Sequence, residues 1–175
     1  MDQINNFKYK KINNFLSKDE VKIYAAYAKN MHRNNLNNFD LQQTKTGDTF
    51  FYKDPLFEFL LNDKKHIVES NTNLKLNSTY SFWRCYTYGS ELTKHTDRPS
   101  CEISVTVNIS SDGTDWPIFL GGNSISLKPG DGVIYKGCDV EHWREVFNGD
   151  YQIQTFLHYV NANSPFKEFK GDRKN

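Results

Sequence analysis

Apolar residues recur at helical spacing near the start of the chain. Ser17 followed by Glu20 fits the capping box S-x-x-E, which marks the first turn of a helix. The apolar positions behind this box repeat at intervals of three and four residues: Val21, Tyr24, Ala25 and Ala28. Because this interval matches the helical period, the pattern predicts a helix over about 18–31.

A second helical segment is predicted in DPLFEFLLNDKKHIVESN, residues 54–71. Pro55 suits the first turn of a helix, where the missing backbone N–H is tolerated. The apolar stripe of this segment consists of Leu56, Phe59, Leu60 and Ile67. The Asn-rich sequence between the two helical segments is predicted to be a loop.

The pattern changes to short strands from about residue 79 onward. TYSFWRCYTY, CEISVTVNIS, WPIFL, SISL, GVIYKG and YQIQTFLHYV are rich in β-branched and aromatic residues, with turn-forming residues between them. Many short strands at close spacing are typical of a β-sandwich or barrel. In EISVTVNIS, strand alternation places one set of residues on a common face: Ile103, Val105, Val107 and Ile109.

Composition and charge exclude several kinds of partner. Lys and Arg number 22 and Asp and Glu 21, so the balance favours neither a nucleic acid nor an anionic membrane. No apolar run approaches the roughly 20 residues of a membrane helix, and no signal-peptide core precedes the first helix. The three cysteines lack CxxC spacing and are expected to be reduced thiols with packing roles in a cytoplasmic protein. The oligomeric state is not indicated.

His95 and Asp97 are candidate metal ligands. Residues two apart on an extended backbone point to the same side, as a metal-binding pair requires. Downstream, the segment YKGCDVEHWREVF adds His142. Two imidazoles and one carboxylate, with other coordination positions left open, form the facial triad of non-haem Fe(II) oxygenases. His32, His66 and His158 are expected to be ordinary structural histidines.

The same segments resemble the 2-oxoglutarate- and Fe(II)-dependent dioxygenases, specifically the prolyl-4-hydroxylase-like branch. Tyr86 and Gly89 ahead of His95 and Asp97 resemble the family pattern Y-x-x-G…H-x-D. SLKPGDGVIYKG resembles the turn leading to the strand of the distal histidine, and His142 stands where that ligand belongs. NNFLSKDEV resembles the start of the family's N-terminal helix. The similarity covers about residues 79–160.

This resemblance implies the fold, which is α+β: a double-stranded β-helix, or jelly roll, with N-terminal helices packed on one sheet. The chain is then a single domain over 1–175, with a helical layer at 1–78, a jelly-roll core at 79–160 and a tail at 161–175. The charged end of the tail is expected to be frayed.

The resemblance also implies the chemistry. Fe(II) would be bound by His95, Asp97 and His142, and Tyr86 would face 2-oxoglutarate. The implied reaction uses dioxygen to hydroxylate a C–H bond of a peptidyl residue or a small metabolite, with release of succinate and CO2. The alternative is a non-enzymatic, cupin-like metal-binding module that has lost the use of 2-oxoglutarate.

The sequence departs from the family in one respect that supports this alternative. Members usually have a Lys or Arg about ten residues after the distal histidine, where it binds the far carboxylate of 2-oxoglutarate, but here that stretch is NGDYQIQT. Arg144 is the replacement candidate, because it lies two residues after His142 and shares its face on a strand. The competing interpretation is a salt bridge to a nearby glutamate: Glu141, Glu145 or Glu102. The remaining candidates for substrate contact, or for support of the site, are Arg98, Lys136, Trp143 and Glu102.

Overall fold

The computed structural model describes residues 7–36, the backbone of 39 and 40, and residues 48–172. Its helices are α1 (Lys18–Asn34), α2 (Pro55–Asp63) and α3 (Lys65–Thr72). Its strands are β1 (Tyr9–Ile12), β2 (Phe39–Asp40), β3 (Asp48–Tyr52), β4 (Leu76–Thr87), β5 (Leu92–His95), β6 (Ile103–Ser111), β7 (Ile118–Leu120), β8 (Asn123–Ile125), β9 (Gly132–Lys136), β10 (His142–Arg144) and β11 (Tyr151–Asn161). Short 3-10 turns cover Pro99–Cys101 and Pro165–Phe169.

Two antiparallel sheets make up most of the protein. The large sheet has the order β1-β9-β6-β11-β4-β3-β2, and the small sheet has the order β5-β10-β7-β8. The helices pack on the outer face of the large sheet, where their apolar residues share a core with β4, β6, β9 and β11. The predicted jelly roll with helices on one sheet is therefore confirmed.

The capping box predicted for α1 is present in both directions. The backbone N–H of Ser17 donates to Glu20 Oε2 at 2.7 Å, and the backbone N–H of Glu20 donates to Ser17 Oγ at 3.2 Å. Two donors at the helix start are thereby satisfied. Tyr24 and Ala28 are buried against the sheet, and the helix continues to Asn34, slightly beyond the predicted end.

The second helical segment differs from the prediction. It forms two helices rather than one, because α2 ends at Asp63 and α3 begins after Lys64. Phe59 belongs to the predicted apolar stripe, but this residue is 63% exposed. The residues that face the sheet are Phe57, Leu60 and Leu61, which follow the same three- and four-residue spacing with a different starting position.

Strand β6 is buried on both faces. Its predicted apolar set, Ile103, Val105, Val107 and Ile109, lies in the core beneath the helices. The alternate residues Ser104, Thr106 and Asn108 are also buried, and they face the space between the two sheets. Ser110 follows an irregularity in the pairing with β11, and its hydroxyl meets Tyr151 instead. A row of polar side chains is thus fixed inside the jelly roll, next to the candidate site.

Three features of the chain ends and loops were not predicted. Strand β1 pairs with β9, and β3, which begins within the region assigned to a loop, pairs with β4. The tail does not fray over its described part, because Asp172 is buried by its contacts with the body of the protein. Residues 173–175 and 41–47 lie outside the described residues. Within the described part of the chain, no helix has the length and apolar character to cross a membrane.

Candidate metal centre

His95 and His142 lie side by side in the small sheet. Strands β5 and β10 pair antiparallel with these two residues directly opposite each other, and their ring centroids are 4.3 Å apart. Asp97 follows β5 and turns back toward both rings. Its Oδ1 lies 3.5 Å from His95 Nε2 and 3.4 Å from His142 Nε2. The fold therefore brings together the three residues that the sequence motif singles out.

The two histidines are oriented by the same kind of hydrogen bond, from Nδ1 to the backbone carbonyl two residues earlier. His95 Nδ1 lies 2.6 Å from the carbonyl of Thr93, and His142 Nδ1 lies 2.8 Å from the carbonyl of Val140. Because a carbonyl only accepts hydrogen bonds, each Nδ1 carries a proton, which leaves Nε2 as the nitrogen of each ring that can bind a metal. Both Nε2 atoms are the ring nitrogens nearest Asp97.

This donor set fits a divalent metal. One ligand atom from each of the three residues lies within 4.8 Å of the others, as ligand bonds of about 2 Å require. Burial opposes ionisation of Asp97, but His142 and His95 hold the pKa of its carboxyl well below the usual range. The group is therefore an anion at neutral pH, and two imidazoles with one carboxylate match the facial triad.

Asp97 is held in place by Ser104 on β6 and by Gly137 directly after β9. Its backbone N–H donates to the carbonyl of Gly137 at 2.8 Å, and its Oδ2 accepts from Ser104 Oγ at 3.0 Å. A side chain at position 137 would lie 2.5 Å from Oδ2, so this close approach requires glycine. With Oδ2 occupied in this way, Oδ1 remains directed at the histidines.

His158 extends this network. Its Nδ1 lies 2.9 Å from Ser104 Oγ, and burial lowers the pKa of its ring to about 4. The ring is therefore neutral at pH 7. The single hydroxyl proton of Ser104 is shared between two groups that only accept, Asp97 Oδ2 and the carbonyl of Cys101, so Nδ1 of His158 is the donor to Ser104. The sequence interpretation of His158 as an ordinary packed histidine missed this link.

A second group of possible ligand atoms shares Asp97 and consists of Asp97, Cys101 and His158. Burial raises the pKa of the Cys101 thiol to about 12, and its sulfur lies 3.1 Å from the hydroxyl of Tyr80. A protonated thiol is a poor metal ligand. The group formed with His95 and His142 is the better metal site for this reason.

The metal centre opens into a cavity of about 550 Å³ between the two sheets. This volume lies within the usual range for small-molecule sites. The cavity is lined by Phe50, Tyr52, Tyr80, Phe82, Arg84, Tyr86, Leu92, His95, Asp97, Arg98, Tyr135, His142, Phe156 and His158.

Arg144 is a buried cation beside this cavity. Arg144 is 2% exposed, and its guanidinium carbon lies 4.8 Å from the ring centroid of Trp116. Nη1 donates to the Trp116 carbonyl at 2.5 Å, whereas Nε and Nη2 have no hydrogen-bond partner within the described residues. Burial lowers the pKa of Arg144 to about 10, so the group is still charged at neutral pH. Two buried donors of a charged group thus point to an anionic ligand.

The glutamates considered as partners of Arg144 are each engaged elsewhere. Glu141 pairs with Lys94 at 2.8 Å. Glu145 accepts a hydrogen bond from the indole of Trp143 at 2.9 Å, and Glu102 accepts one from the backbone of Asn161 at 2.8 Å. The salt-bridge interpretation of Arg144 is therefore wrong for the described residues.

Two tyrosines connect Arg144 to the cavity. Tyr86 and Tyr135 both line the cavity, and both are close enough to Arg144 to influence its charge. Burial raises the pKa of each hydroxyl, which keeps them as neutral hydrogen-bond donors. Tyr86 also packs edge-on against Trp116 at 4.8 Å. Tyr86 therefore lines the cavity, and its contact with 2-oxoglutarate stays a prediction.

The other candidates for substrate contact, Arg98, Lys136 and Trp143, each contact another side chain of the protein. Arg98 lines the cavity, and its guanidinium forms two 3.0 Å contacts with the carboxylate of Asp172. Lys136 lies 5.6 Å over the ring of Phe7, and Trp143 stacks on Phe119 at 5.1 Å; neither lines the cavity. Their neighbours Tyr135 and His142 do line it, and strand alternation turns adjacent residues to the opposite face.

Glu102, the last of these candidates, holds the tail. Besides the backbone of Asn161, it accepts a hydrogen bond from Ser164 Oγ at 2.7 Å.

Several cavity residues were missed because strand alternation was applied to β6 and not to β4. The stretch YSFWRCY places Tyr80, Phe82, Arg84 and Tyr86 on one face, and all four line the cavity. The same argument that placed the apolar face of β6 would have found them.

No family model matches this chain, and no curated protein matches its sequence. The structure is similar to the viral collagen prolyl hydroxylase vCPH from Paramecium bursaria Chlorella virus-1 in a 2-oxoglutarate complex. The TM-score is 0.68 at 14% identity, covering 90% of this chain and 98% of that one. A Pseudomonas putida prolyl-4-hydroxylase gives a TM-score of 0.68 at 17% identity, covering 89% and 94%. HygX from Streptomyces hygroscopicus, with nickel and 2-oxoglutarate bound, gives 0.65 at 12% identity, covering 89% and 83%.

The chain has the fold of the 2-oxoglutarate-dependent oxygenases. The identities are low, so the likeness establishes the fold of these oxygenases and no more. The role of each side chain depends on the local geometry described above.

Proposed function

We propose that the protein is a 2-oxoglutarate- and Fe(II)-dependent dioxygenase that hydroxylates a C–H bond of a peptidyl residue or a small metabolite. One observation supports this most strongly. A set of two histidines and one carboxylate lines the cavity, and a buried arginine close to the cavity residues Tyr86 and Tyr135 has Nε and Nη2 without a partner among the described residues. Similar folds have been solved with 2-oxoglutarate and with nickel or iron.

The residues of this chain would divide the work of holding the two cofactors. His95, Asp97 and His142 would hold the iron through Nε2, Oδ1 and Nε2. Arg144 would receive the far carboxylate of 2-oxoglutarate, with Nε and Nη2 as the donors, and Tyr86 and Tyr135 line the cavity beside it. A guanidinium suits a carboxylate because its planar fork can donate two parallel hydrogen bonds.

When bound, iron and 2-oxoglutarate activate dioxygen, release succinate and CO2, and supply the oxidising power for C–H hydroxylation. The protein's own contribution is positional. The Ser104–Asp97 and Gly137–Asp97 bonds fix the carboxylate, and the two backbone carbonyls fix the histidine tautomers. No acid or base from the protein is required.

A binding module without catalytic activity is the second candidate. The sequence of β11 supports this candidate, because the stretch where the family has its basic residue contains Gln152 and Gln154 here. Arg144 answers this objection, because it provides a buried cation close to Tyr86 and Tyr135, two residues that line the cavity. The three cysteines are free thiols, in accord with the cytoplasmic location we propose.

Succinate formation distinguishes the two candidates. Purified protein is loaded with Fe(II) and given 2-oxoglutarate in air, and succinate is measured without any added substrate, since slow uncoupled turnover is expected. We expect succinate that depends on iron, on 2-oxoglutarate and on dioxygen. Protein that binds iron but forms no succinate under these conditions would support the binding module.

A further inference from the structure

Five aromatic side chains of the large sheet line the cavity. This aromatic wall is contributed by the neighbouring strands β3, β4 and β11 and consists of Phe50, Tyr52, Tyr80, Phe82 and Phe156. Phe50 stacks on Phe82 with centroids 5.6 Å apart and planes inclined by 26°, and Phe82 meets Phe156 at 6.0 Å. Because neighbouring strands lie about 4.8 Å apart, three strands make the wall about 10 Å wide, which is enough to cover an aromatic ring.

The hydroxyl groups of the wall are engaged within the protein. The Tyr52 hydroxyl donates to the carboxylate of Asp172, and the Tyr80 hydroxyl lies 3.1 Å from the sulfur of Cys101. Two tyrosines occupied in this way offer a ligand mainly their rings. 2-Oxoglutarate, an open-chain dicarboxylate, has its own proposed partners in the metal triad and Arg144. A surface of aromatic rings is therefore left for the second ligand, the molecule that is oxidised.

The cations beside the wall have partners in the protein. Among the described residues that line the cavity, the charged side chains outside the metal triad are Arg84 and Arg98. Arg84 is 1% exposed and has a partner within the protein, and none of its nitrogens is an unpaired buried atom of the described residues. Arg98 forms two 3.0 Å contacts with the carboxylate of Asp172. Neither guanidinium requires an anionic ligand, in contrast to Arg144.

We propose that the aromatic wall is the substrate subsite and that the substrate is a small uncharged molecule with an aromatic ring. This inference rests on the proposed function. A carboxylate placed against the wall loses its water without gaining a partner, whereas an uncharged ring gains stacking contacts. A cation is disfavoured by Arg84, whose guanidinium carbon already lies 5.2 Å from the ring centroid of Phe82. The cavity volume of about 550 Å³ suits a small molecule beside 2-oxoglutarate.

The test compares four probes on one complex. Protein loaded with Mn(II) is titrated with 2-oxoglutarate by calorimetry, and the saturated complex is then titrated with phenylacetamide. Relaxation of the probe's protons by Mn(II) reports binding in the cavity. Phenylacetate and 2-phenylethylamine have a similar shape with a negative or a positive charge, and cyclohexylacetamide keeps the uncharged amide without the planar ring. We expect phenylacetamide to bind about 10- to 100-fold more tightly than either charged probe and about 3- to 10-fold more tightly than cyclohexylacetamide.

Two variants separate the ring contact from the charge balance. Phe82→Leu keeps an apolar side chain but removes the ring, so it should abolish the preference for phenylacetamide over cyclohexylacetamide. Asp172→Asn removes the anion that balances Arg98, so phenylacetate should gain about 3- to 10-fold in affinity while phenylacetamide changes less than about twofold. The matched controls alter exposed residues: Phe59→Leu and Asp19→Asn should change none of the titrations.

Three results would overturn the inference. One is wild-type protein that binds 2-oxoglutarate but holds a charged probe as tightly as phenylacetamide. Another is a Phe82→Leu or Asp172→Asn protein whose preferences among the probes are unchanged. The third is tighter binding of N-acetylproline amide, an uncharged stand-in for a peptide that has no aromatic ring. By contrast, failure of wild-type protein to bind 2-oxoglutarate contradicts the proposed function itself, so the two failures are distinguishable. If Phe82→Leu does not fold, the four probes on wild-type protein still decide the matter.

Discussion

His95 and His142 each donate from Nδ1 to the backbone carbonyl two residues earlier in the chain, and they do so from directly opposite positions on β5 and β10. These two equivalent hydrogen bonds set the same tautomer in both rings. Because the strands are antiparallel and the residues are in register, both Nε2 atoms turn toward Asp97. The geometry for metal binding thus arises from strand pairing and two local hydrogen bonds.

The first prediction concerns the carboxylate. Asp97→Ala should remove most bound metal, because Asp97 is the anionic member of the triad. The loss should exceed the roughly 10- to 100-fold that removal of an outer hydrogen-bond partner costs. Metal content after loading with Fe(II) or Mn(II) and gel filtration is the measurement. The exposed Asp115 gives the control, Asp115→Ala, which should keep its metal. Stoichiometric metal in the Asp97 variant would refute the assignment.

The second prediction concerns Ser104. Ser104→Ala removes the hydroxyl that links Asp97 Oδ2 to His158, so the carboxylate is no longer held in one orientation. Metal affinity should fall by about 10- to 100-fold, as for other outer-shell groups. A Mn(II) titration followed by electron paramagnetic resonance gives the affinity directly.

Ser110→Ala is the matched control for that titration. Ser110 lies on the same strand as Ser104, and its hydroxyl meets Tyr151 at 3.3 Å instead of the metal centre. Equal affinities in the wild type and the Ser104 variant would show that the bond to Asp97 has no positioning role.

The third prediction concerns the tail. Burial opposes ionisation of Asp172, but its bonds to Arg98 outweigh this and lower the pKa of the carboxyl. The folded pKa is below the unfolded value of about 3.9, so the pair's stabilisation is complete above about pH 5 and is lost as the pH falls through the folded pKa. Asp172→Asn should lower the free energy of unfolding at pH 7 by about 1–3 kcal/mol.

Urea unfolding of wild type and Asp172→Asn at several pH values measures this effect. The difference between the two proteins should narrow below about pH 4. Asp19→Asn is the control, because Asp19 and its partner Lys22 are both exposed and such pairs contribute little. A difference that stays constant from pH 7 to pH 3.5 would contradict the role assigned to the ion pair.

The parts predicted from the sequence depend on neighbours along the chain. Local periodicity predicts the capping box of α1 and the apolar face of β6. It also predicts that His95 and Asp97 point to the same side of the chain. The position of His142 came from the family resemblance, and the structure brings it to the other two residues.

The parts that were missed depend on pairing between distant segments. The Ser104–His158 bond joins residues 54 apart in sequence, and the Arg98–Asp172 bond joins residues 74 apart. No local pattern indicates such contacts. Trp143 is different, because its position between His142 and Arg144 on one strand already implied that it faces away from the cavity.

The most direct test of the account is the dependence of succinate formation on 2-oxoglutarate in wild type and Arg144→Met, at fixed Fe(II). Methionine roughly preserves the bulk of arginine and removes the charge. Loss of a charge-assisted contact of about 2–4 kcal/mol should raise the half-saturating concentration of 2-oxoglutarate roughly 30- to 1000-fold. The account predicts this shift, with iron content unchanged. An identical dependence in the two proteins, or no succinate from iron-loaded wild type, would contradict it.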